Sequence, residues 1–310
     1  MRIAVIDLGT NTFNLLIVDF DDRGVFRPVF NAKEAVKIGE GAMKVGKLQP
    51  LPMERGKKAL SEYVGIISEH RCDRTFAFAT SGIRSTSNGM DFVREVRSEI
   101  GLDIHVIDGN EEAELIYEGV DLAVKFTSQP MLVMDIGGGS TEFIIANDQG
   151  VIWKKSYELG VSRILQLLEP SDPLRKRDLE SLDLLFEEQL DELVTACINH
   201  QVKTLIGSSG SFDSFAEMMW LESGFNKTTK EVVSEEMDLV QLEHLHAKML
   251  KMDSVSRRAI PGLVEMRVDT IHLASYMVQW VLAKCRLERL LLSTYALKEG
   301  VLHRALEDRI

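Results

Sequence analysis

The sequence has little cysteine, and the cysteines that it has are far apart. Cys72, Cys197 and Cys285 form no C-x-x-C pair, so neither a zinc site nor a disulfide framework is indicated. Histidine is also scattered: His244 and His246 are two positions apart, a spacing that points them to different faces of a helix. A metal site built on histidine is therefore not expected.

Long apolar runs are missing as well. No run approaches the roughly 18 residues typical of a membrane-spanning helix, and Asp7 interrupts the hydrophobic start before it reaches the length of a secretion signal. We therefore expect a cytoplasmic protein that does not contact a membrane.

The sequence lacks an excess of positive charge. It has 36 Lys and Arg against 48 Asp and Glu, a net charge of −12. Nucleic-acid polymers are bound by neutralising their phosphates with cations, so they are excluded as general partners. A phosphate ligand held in one pocket by backbone dipoles, a few cations and a metal is compatible with this charge. The 310 residues allow one large or two ordinary domains. The oligomeric state cannot be read, although a homodimer fits general frequencies.

One stretch of the sequence repeats. VIDLGTNTFNLLI at 5–17 aligns without a gap on VMDIGGGSTEFII at 133–145. The alignment matches residues of like chemistry: Asp7 with Asp135, Gly9 with Gly137, and Thr12 with Ser140. Both stretches continue into apolar sequence and reach a turn signal, DDRG at 21–24 and NDQG at 147–150. The repeat predicts two related domains, 1–124 and 125–310, that each open with a hairpin.

The remaining pattern predicts an α/β fold in both halves. In the first half we expect strands at 2–7, 13–20, 25–31, 74–80 and 103–107, and helices at 53–69, 88–99 and 110–124. In the second half we expect strands at 131–135, 151–157, 203–207 and 288–293, and helices at 160–168, 173–199, 235–250, 262–284 and 297–308, with another after the glycines at 207–210. The terminal helix is expected to pack back on the first domain.

The glycine-rich turns predict a site for an anion. Small residues in a tight turn expose successive backbone N–H groups, which together form a concave anion site. An aspartate precedes each turn, and Mg²⁺ favours a few carboxylates together with water and phosphate oxygens. The alternative is that both turns are ordinary hairpin turns.

This duplicated pattern resembles the actin-like phosphotransferase superfamily, which includes actin and hexokinase. More specifically, the chain resembles the exopolyphosphatase and guanosine pentaphosphate phosphohydrolase family, through ATSGIR (79–84), GNEEAELIYEGV (109–120), STEF (140–143) and YALKEGVL (295–302). The resemblance implies two actin-like (ribonuclease H-like) domains, each a mixed sheet flanked by helices, with a cleft between them. It also implies Mg²⁺-dependent release of terminal phosphate from polyphosphate or guanosine pentaphosphate.

The resemblance further implies roles for individual residues. The catalytic residues would be Glu112, Glu142 and Arg84. The metal ligands would be Asp7, Asp135 and Glu142. The phosphate-binding residues would be Gly9, Thr10, Asn11, Gly137, Gly138, Gly139, Ser140 and Thr141.

Local sequence leaves other interpretations of these residues open. Glu112, with its acidic neighbours, is equally consistent with a helix N-terminus capped by Asn110. Arg84 is also consistent with a solvated loop, Glu142 with an exposed strand position, and Ser140 and Thr141 with turn chemistry.

The chain departs from the family pattern near its C-terminal end. Lys298 replaces the family's arginine, so we assign it no role. The late glycine loop is GSSGS at 207–211, which leaves a nucleoside contact undecided. Arg267, in RVDTI, is equally consistent with a surface helix.

Three functions remain open from the sequence. The first is hydrolysis of polyphosphate or guanosine pentaphosphate, and the second is phosphoryl transfer to a nucleotide or small alcohol. The third is sensing of guanosine polyphosphates without turnover, which the retained carboxylates disfavour. The absence of further domains and the net negative charge together predict a preference for shorter polyphosphate chains.

Overall fold

The structure is a computed structural model that describes residues 1–21 and 24–310. Its strands are, in chain order, β1 (Arg2–Leu8), β2 (Phe13–Phe20), β3 (Phe26–Glu34), β4 (Arg74–Ala79), β5 (His105–Val106), β6 (Met131–Ile136), β7 (Thr141–Asn147), β8 (Gly150–Tyr157), β9 (Thr204–Ser208), β10 (Ser234–Met237) and β11 (Arg289–Ser293).

Helices of very different lengths connect these strands. In chain order they are α1 (Ala42–Val45), α2 (Pro50–Glu69), α3 (Ser81–Arg84), α4 (Gly89–Ile100), α5 (Gly109–Ala123), α6 (Val161–Leu168), α7 (Lys176–Gln189), α8 (Asp191–Asn199), α9 (Ser209–Glu222), α10 (Leu239–Met249), α11 (Ser254–Arg257), α12 (Ile271–Lys284) and α13 (Leu297–Leu306). Within the described residues, none is long and apolar enough to cross a membrane.

The strands form two sheets of matching topology. The first has the order β3-β2-β1-β4-β5, and the second has the order β10-β11-β9-β6-β7-β8. Each begins with an antiparallel hairpin whose first strand then pairs in parallel with a later strand. The second sheet carries β10 as an additional edge strand. The predicted fold class, two mixed sheets flanked by helices, is therefore confirmed.

We call β1–β5 with α1–α5 the first lobe and β6–β11 with α6–α13 the second lobe. The turn predicted at 147–150 joins β7 to β8. The corresponding turn at 21–24 includes residues 22 and 23, which lie outside the described residues.

Apolar side chains fill three clusters, one in each lobe and one between the sheets. The cluster between the sheets combines Val5 of β1 and Val133 of β6 with Ile116 of α5 and Val301 of α13. Helix α13 packs along α5 and against β1, so the end of the chain contacts the first lobe.

Three predicted elements differ from the structure. The helix expected at 173–199 is two helices that meet at Leu190. Residues 235–237, expected to begin a helix, belong to β10 because this segment pairs with β11, and such pairing overrides local propensity. The helix expected from 262 begins only at Ile271, because Gly262 has a φ of 88° and the chain then makes a 3₁₀ turn, Glu265–Arg267.

Two helix glycines allow α5 and α13 to cross closely. A Cβ on Gly119 would lie 1.9 Å from the carbonyl oxygen of Ala296, and a Cβ on Gly300 would lie 1.9 Å from that of Leu115. Neither helix can therefore carry a side chain at the crossing without a shift of backbone.

We expect Gly119→Ala to lower the free energy of unfolding by about 2 kcal/mol, because the new methyl group forces the helices apart. Chemical denaturation measures this change. Gly65→Ala is the matched control: it lies inside α2, and its new methyl group would meet no neighbouring element within 4 Å. Alanine is the better helix former, so this control should be neutral or stabilising by up to about 1 kcal/mol. Equal losses from both changes would contradict the close crossing.

Candidate active site

A cavity of about 170 Å³ opens between the two lobes. Among its walls are most of the residues singled out from the sequence: Asp7, Gly9, Thr10, Asn11, Glu112, Asp135, Gly137, Gly138, Gly139, Ser140 and Glu142. Arg84 and Thr141 are not part of the lining. The fold thus brings both turns and all the predicted acidic residues to one place.

The two turns are closed by equivalent backbone hydrogen bonds. In the first, the Gly9 N–H donates to the Thr12 carbonyl oxygen at 3.0 Å, and in the second the Gly137 N–H donates to the Ser140 carbonyl oxygen at 3.0 Å. The donors, Gly9 and Gly137, are aligned with each other in the sequence repeat, and so are the acceptors, Thr12 and Ser140. The repeat therefore extends from the sequence to the shape of the turn.

The central glycines of the second turn lie against the first lobe. A Cβ on Gly138 would lie 2.9 Å from the Asn11 side chain, and a Cβ on Gly139 would lie 2.6 Å from Thr10 Oγ1 and 2.7 Å from Ser81 Oγ. The Ser162 hydroxyl also donates to Asn11 Oδ1 at 2.8 Å. The lack of side chains at these glycines therefore allows the second turn to contact the first lobe, and it also leaves the backbone N–H groups of the turn uncovered.

Each hairpin places two polar side chains on one face of its sheet. Asp135 is directly opposite Glu142 in the β6–β7 ladder, and Asp7 is opposite Asn14 in the β1–β2 ladder. Residues opposite each other in an antiparallel pair project from the same face. Asn14 donates to Asp7 at 3.0 Å, so only the second hairpin presents two carboxylates.

Glu112 reaches the cavity from the first turn of α5. The N-cap of this helix is Asp108, whose carboxylate accepts from the N–H groups of Asn110 and Glu111. The cap expected at Asn110 was therefore wrong by two residues. Because Asp108 already satisfies these N–H groups, Glu112 is free to turn inward, where it is 6% exposed.

Arg84 lies behind Glu112 and does not line the cavity. Its Nη1 donates to Glu112 Oε2 at 2.8 Å and to the Ile107 carbonyl oxygen at 2.9 Å. The catalytic role implied for Arg84 is therefore not supported by a place in the cavity lining. Its contacts instead fix the orientation and favour the ionised form of Glu112.

Thr141 also departs from its predicted role. Its hydroxyl is fully buried and donates to the Leu159 carbonyl oxygen at 3.0 Å. The side chain therefore points into the core of the second lobe, and a phosphate contact through that hydroxyl does not agree with this position. Ser140, one residue earlier, does line the cavity.

Burial and mutual repulsion disfavour the ionised forms of the acids. Burial raises the pKa of Glu112 to about 7, with nearby Asp135 and Asp7 acting in the same direction and Arg84 opposing them. Burial, followed by the charge of Glu112, raises the pKa of Glu142 well above its usual range. A carboxylate with a pKa near neutrality is suited to accept a proton at physiological pH.

Asp135 is held in place by hydroxyl groups. The hydroxyls of Ser209 and Ser208 donate to its Oδ2 at 2.6 and 3.3 Å. Burial raises the pKa of Asp135 to about 6 against the effect of these bonds. Within residues 1–21 and 24–310, no group of three or more His, Cys, Asp and Glu side chains is arranged to hold a metal ion unaided.

Several charged residues of the cavity were missed or left without a role. Lys33, Asp213, Arg267 and Lys298 all line it. The surface-helix interpretation of Arg267 is wrong, because its side chain lies against Gly210 and its Nη1 donates to Ser214 at 3.1 Å. No local signal marks Lys33 or Asp213, since they come from β3 and α9, far from either turn.

Two lobes of one topology, each contributing a hairpin turn to a shared cleft, define a two-lobed α/β protein, the arrangement that the resemblance to the actin-like superfamily implies. Within that class the chain belongs to the Ppx/GppA phosphatase family, whose model matches residues 16–309.

Individual relatives resemble the chain over nearly its whole length. The crystal structure of an exopolyphosphatase from Cytophaga hutchinsonii superimposes with a TM-score of 0.96 at 36% identity, covering 99% of this chain and 98% of that one. Exopolyphosphatase 1 of Mycobacterium tuberculosis is 26% identical over 309 residues, which are 99% of this chain and 89% of the relative. The Ppx/GppA protein of Aquifex aeolicus shares the fold, with a TM-score of 0.80 at 24% identity, covering 100% and 99% of the two chains.

Proposed function

We propose that the protein is a Mg²⁺-dependent phosphoanhydride hydrolase that releases terminal orthophosphate from inorganic polyphosphate or guanosine pentaphosphate. The observation that carries this proposal is Glu112, a buried carboxylate with a pKa of about 7, in one cavity with both turns. Relatives of both 36% and 26% identity are named exopolyphosphatases, which supports the polyphosphate half of the proposal.

The proposed reaction is attack of water on the terminal phosphorus. Glu112 accepts the proton of the water as the new P–O bond forms and the bridging P–O bond breaks. Arg84 holds Glu112 in orientation. Orthophosphate and the shortened chain are the products.

The two turns would bind the terminal phosphates. Their backbone N–H groups offer fixed dipoles to the anion without adding net charge. Thr10, Asn11 and Ser140 add side-chain donors at the same mouth of the cavity.

The residues present fit a magnesium ion. Mg²⁺ keeps several waters and is bound by one or two carboxylates together with substrate phosphates, so a dedicated cage is not required. Asp135 and Glu142 would provide that pair, with Asp7 beside them, and burial among other acids raises the pKa of all three. When bound, the ion would offset phosphate charge and polarise its oxygens.

The test is phosphate release from purified protein given long-chain polyphosphate, guanosine pentaphosphate or ATP. We expect Mg²⁺-dependent release from polyphosphate, guanosine pentaphosphate or both, falling about a hundredfold when a chelator removes the metal and returning when Mg²⁺ is restored. Circular dichroism before and after chelation controls for unfolding. No release from either polyphosphate or guanosine pentaphosphate with Mg²⁺ present, whether or not ATP is hydrolysed, would overturn the proposal.

A parallel incubation separates hydrolysis from phosphoryl transfer. Polyphosphate is supplied together with ADP, and both ATP and free phosphate are measured. Formation of ATP without free phosphate would identify a phosphotransferase instead. Tight binding of guanosine pentaphosphate with no product would identify a sensor.

A further inference from the structure

The cavity extends beyond the acidic residues to a group of cations. Lys33 of β3, Arg267 of the 3₁₀ turn and Lys298 of α13 all line this part. Burial in the cleft, with the neighbouring Arg267 and Lys298 charges, lowers the pKa of Lys33 to about 8. Lys33 and Lys298 are close enough to Asp7 to oppose the rise in its pKa, so the cations and the acidic residues line one continuous cavity.

A carboxylate that the proposed reaction does not use lies near these cations. Asp213 lies on α9, one turn beyond Ser209, whose hydroxyl donates to Asp135. Positions four apart share a helix face, so Asp213 continues the same wall of the cavity. Its charge is opposite to that of Arg267, Lys33 and Lys298, while Glu217 is a nearby like charge.

One carboxylate oxygen of Asp213 makes no hydrogen bond within the described residues. Its Oδ1 is shielded from solvent and has no hydrogen-bond partner among the described residues. Arg267 is close enough to influence its ionisation, yet the hydrogen bond that Arg267 Nη1 makes is to Ser214. A buried acceptor left without a donor is costly, and native proteins rarely retain one without a role.

A phosphate chain cannot satisfy this oxygen. Ionised phosphate oxygens are hydrogen-bond acceptors, and their charge repels a carboxylate. The group that suits Asp213 carries N–H or O–H donors, as a nucleobase and a ribose do. An uninterrupted polyphosphate offers only hydrogen-bond acceptors at this position, where Asp213 needs a donor.

We propose that Asp213 is a specificity-determining residue, which accepts a hydrogen bond from the nucleoside of a nucleoside polyphosphate and disfavours a continuing polyphosphate chain. This inference rests on the proposed function and names the substrate class of the same site.

Asp213→Asn tests the proposal, because it keeps the size of the side chain and removes its charge. The quantity measured is kcat/KM on long-chain polyphosphate divided by kcat/KM on guanosine pentaphosphate. We expect the substitution to raise this ratio about tenfold, equivalent to about 1.4 kcal/mol, mainly through KM. An unchanged ratio, or one that falls, would overturn the proposal.

Glu222→Gln is the matched control. It removes one negative charge from the same helix, but it lies outside the cavity and pairs with Lys248. It should leave the ratio unchanged. A tenfold rise in this control as well would mean that overall charge, and not the position of Asp213, sets the preference.

Binding experiments test the role of Asp213 independently of whether the protein hydrolyses either substrate. Calorimetric titration of Glu112→Gln and of the Glu112→Gln, Asp213→Asn double variant with each substrate measures affinity without turnover. The double variant should bind polyphosphate more tightly relative to guanosine pentaphosphate, even if the wild type releases no phosphate. If Asp213→Asn does not fold, Asp213→Ser replaces it in both assays, with the same expected direction.

Discussion

Replacing Glu112 by glutamine is expected to lower kcat for phosphate release about a thousandfold, the loss typical of a removed general base. Glutamine has the same shape and still accepts from Arg84, but it cannot take a proton from water. The measurement is steady-state phosphate release on the substrate that the wild type hydrolyses best.

Glu111→Gln is the control for this change. Glu111 is the preceding residue of α5, it does not line the cavity, and its side chain lies 3.5 Å from His105. It should retain wild-type activity. Thermal melting should show both variants folded, and a Glu112→Gln enzyme with unchanged kcat would remove Glu112 from the mechanism.

Replacing Arg84 by methionine is expected to lower activity at pH 7 about a hundredfold. Methionine keeps much of the apolar bulk but removes the only cation that forms a salt bridge with Glu112 among the described residues. Without it, burial and the nearby carboxylates raise the pKa of Glu112 further. Less of Glu112 is then ionised at pH 7, and only the ionised form accepts a proton.

The pH dependence distinguishes this role from a direct contact with phosphate. The acid limb of the kcat/KM profile reports the ionisation of the free enzyme's base, so in Arg84→Met it should move to higher pH and activity should partly return in alkaline buffer. Arg84→Lys, which keeps the charge, should stay nearer the wild-type profile. A loss that is the same at every pH would contradict a role through Glu112.

The position of Arg84 also explains how a buried acid remains usable. Desolvation alone would hold Glu112 protonated at neutral pH, whereas the guanidinium at 2.8 Å offsets part of that effect. The resulting pKa of about 7 reflects a balance between burial, two nearby aspartates and one arginine. A change at Arg84 should therefore alter activity without removing a group that lines the cavity.

The sequence alone determined the features that repeat or that follow local periodicity. The alignment of Asp7 with Asp135 predicted two lobes of like topology, and the ladder that places Asp135 opposite Glu142 follows from the length of the turn between them. Glu112 was found through its resemblance to a family motif, because local sequence explained it equally well as helix-end chemistry. The hydrophobic pattern also located nearly all the long elements.

Only the tertiary structure decided which side chains meet across the lobes. It placed Arg84 behind Glu112, turned Thr141 into the core, and brought Lys33, Asp213 and Arg267 together from three distant segments. It also showed that Gly138 and Gly139 make room for Thr10 and Ser81. Such contacts depend on how separate elements pack, and a sequence pattern reports only the periodicity within each element.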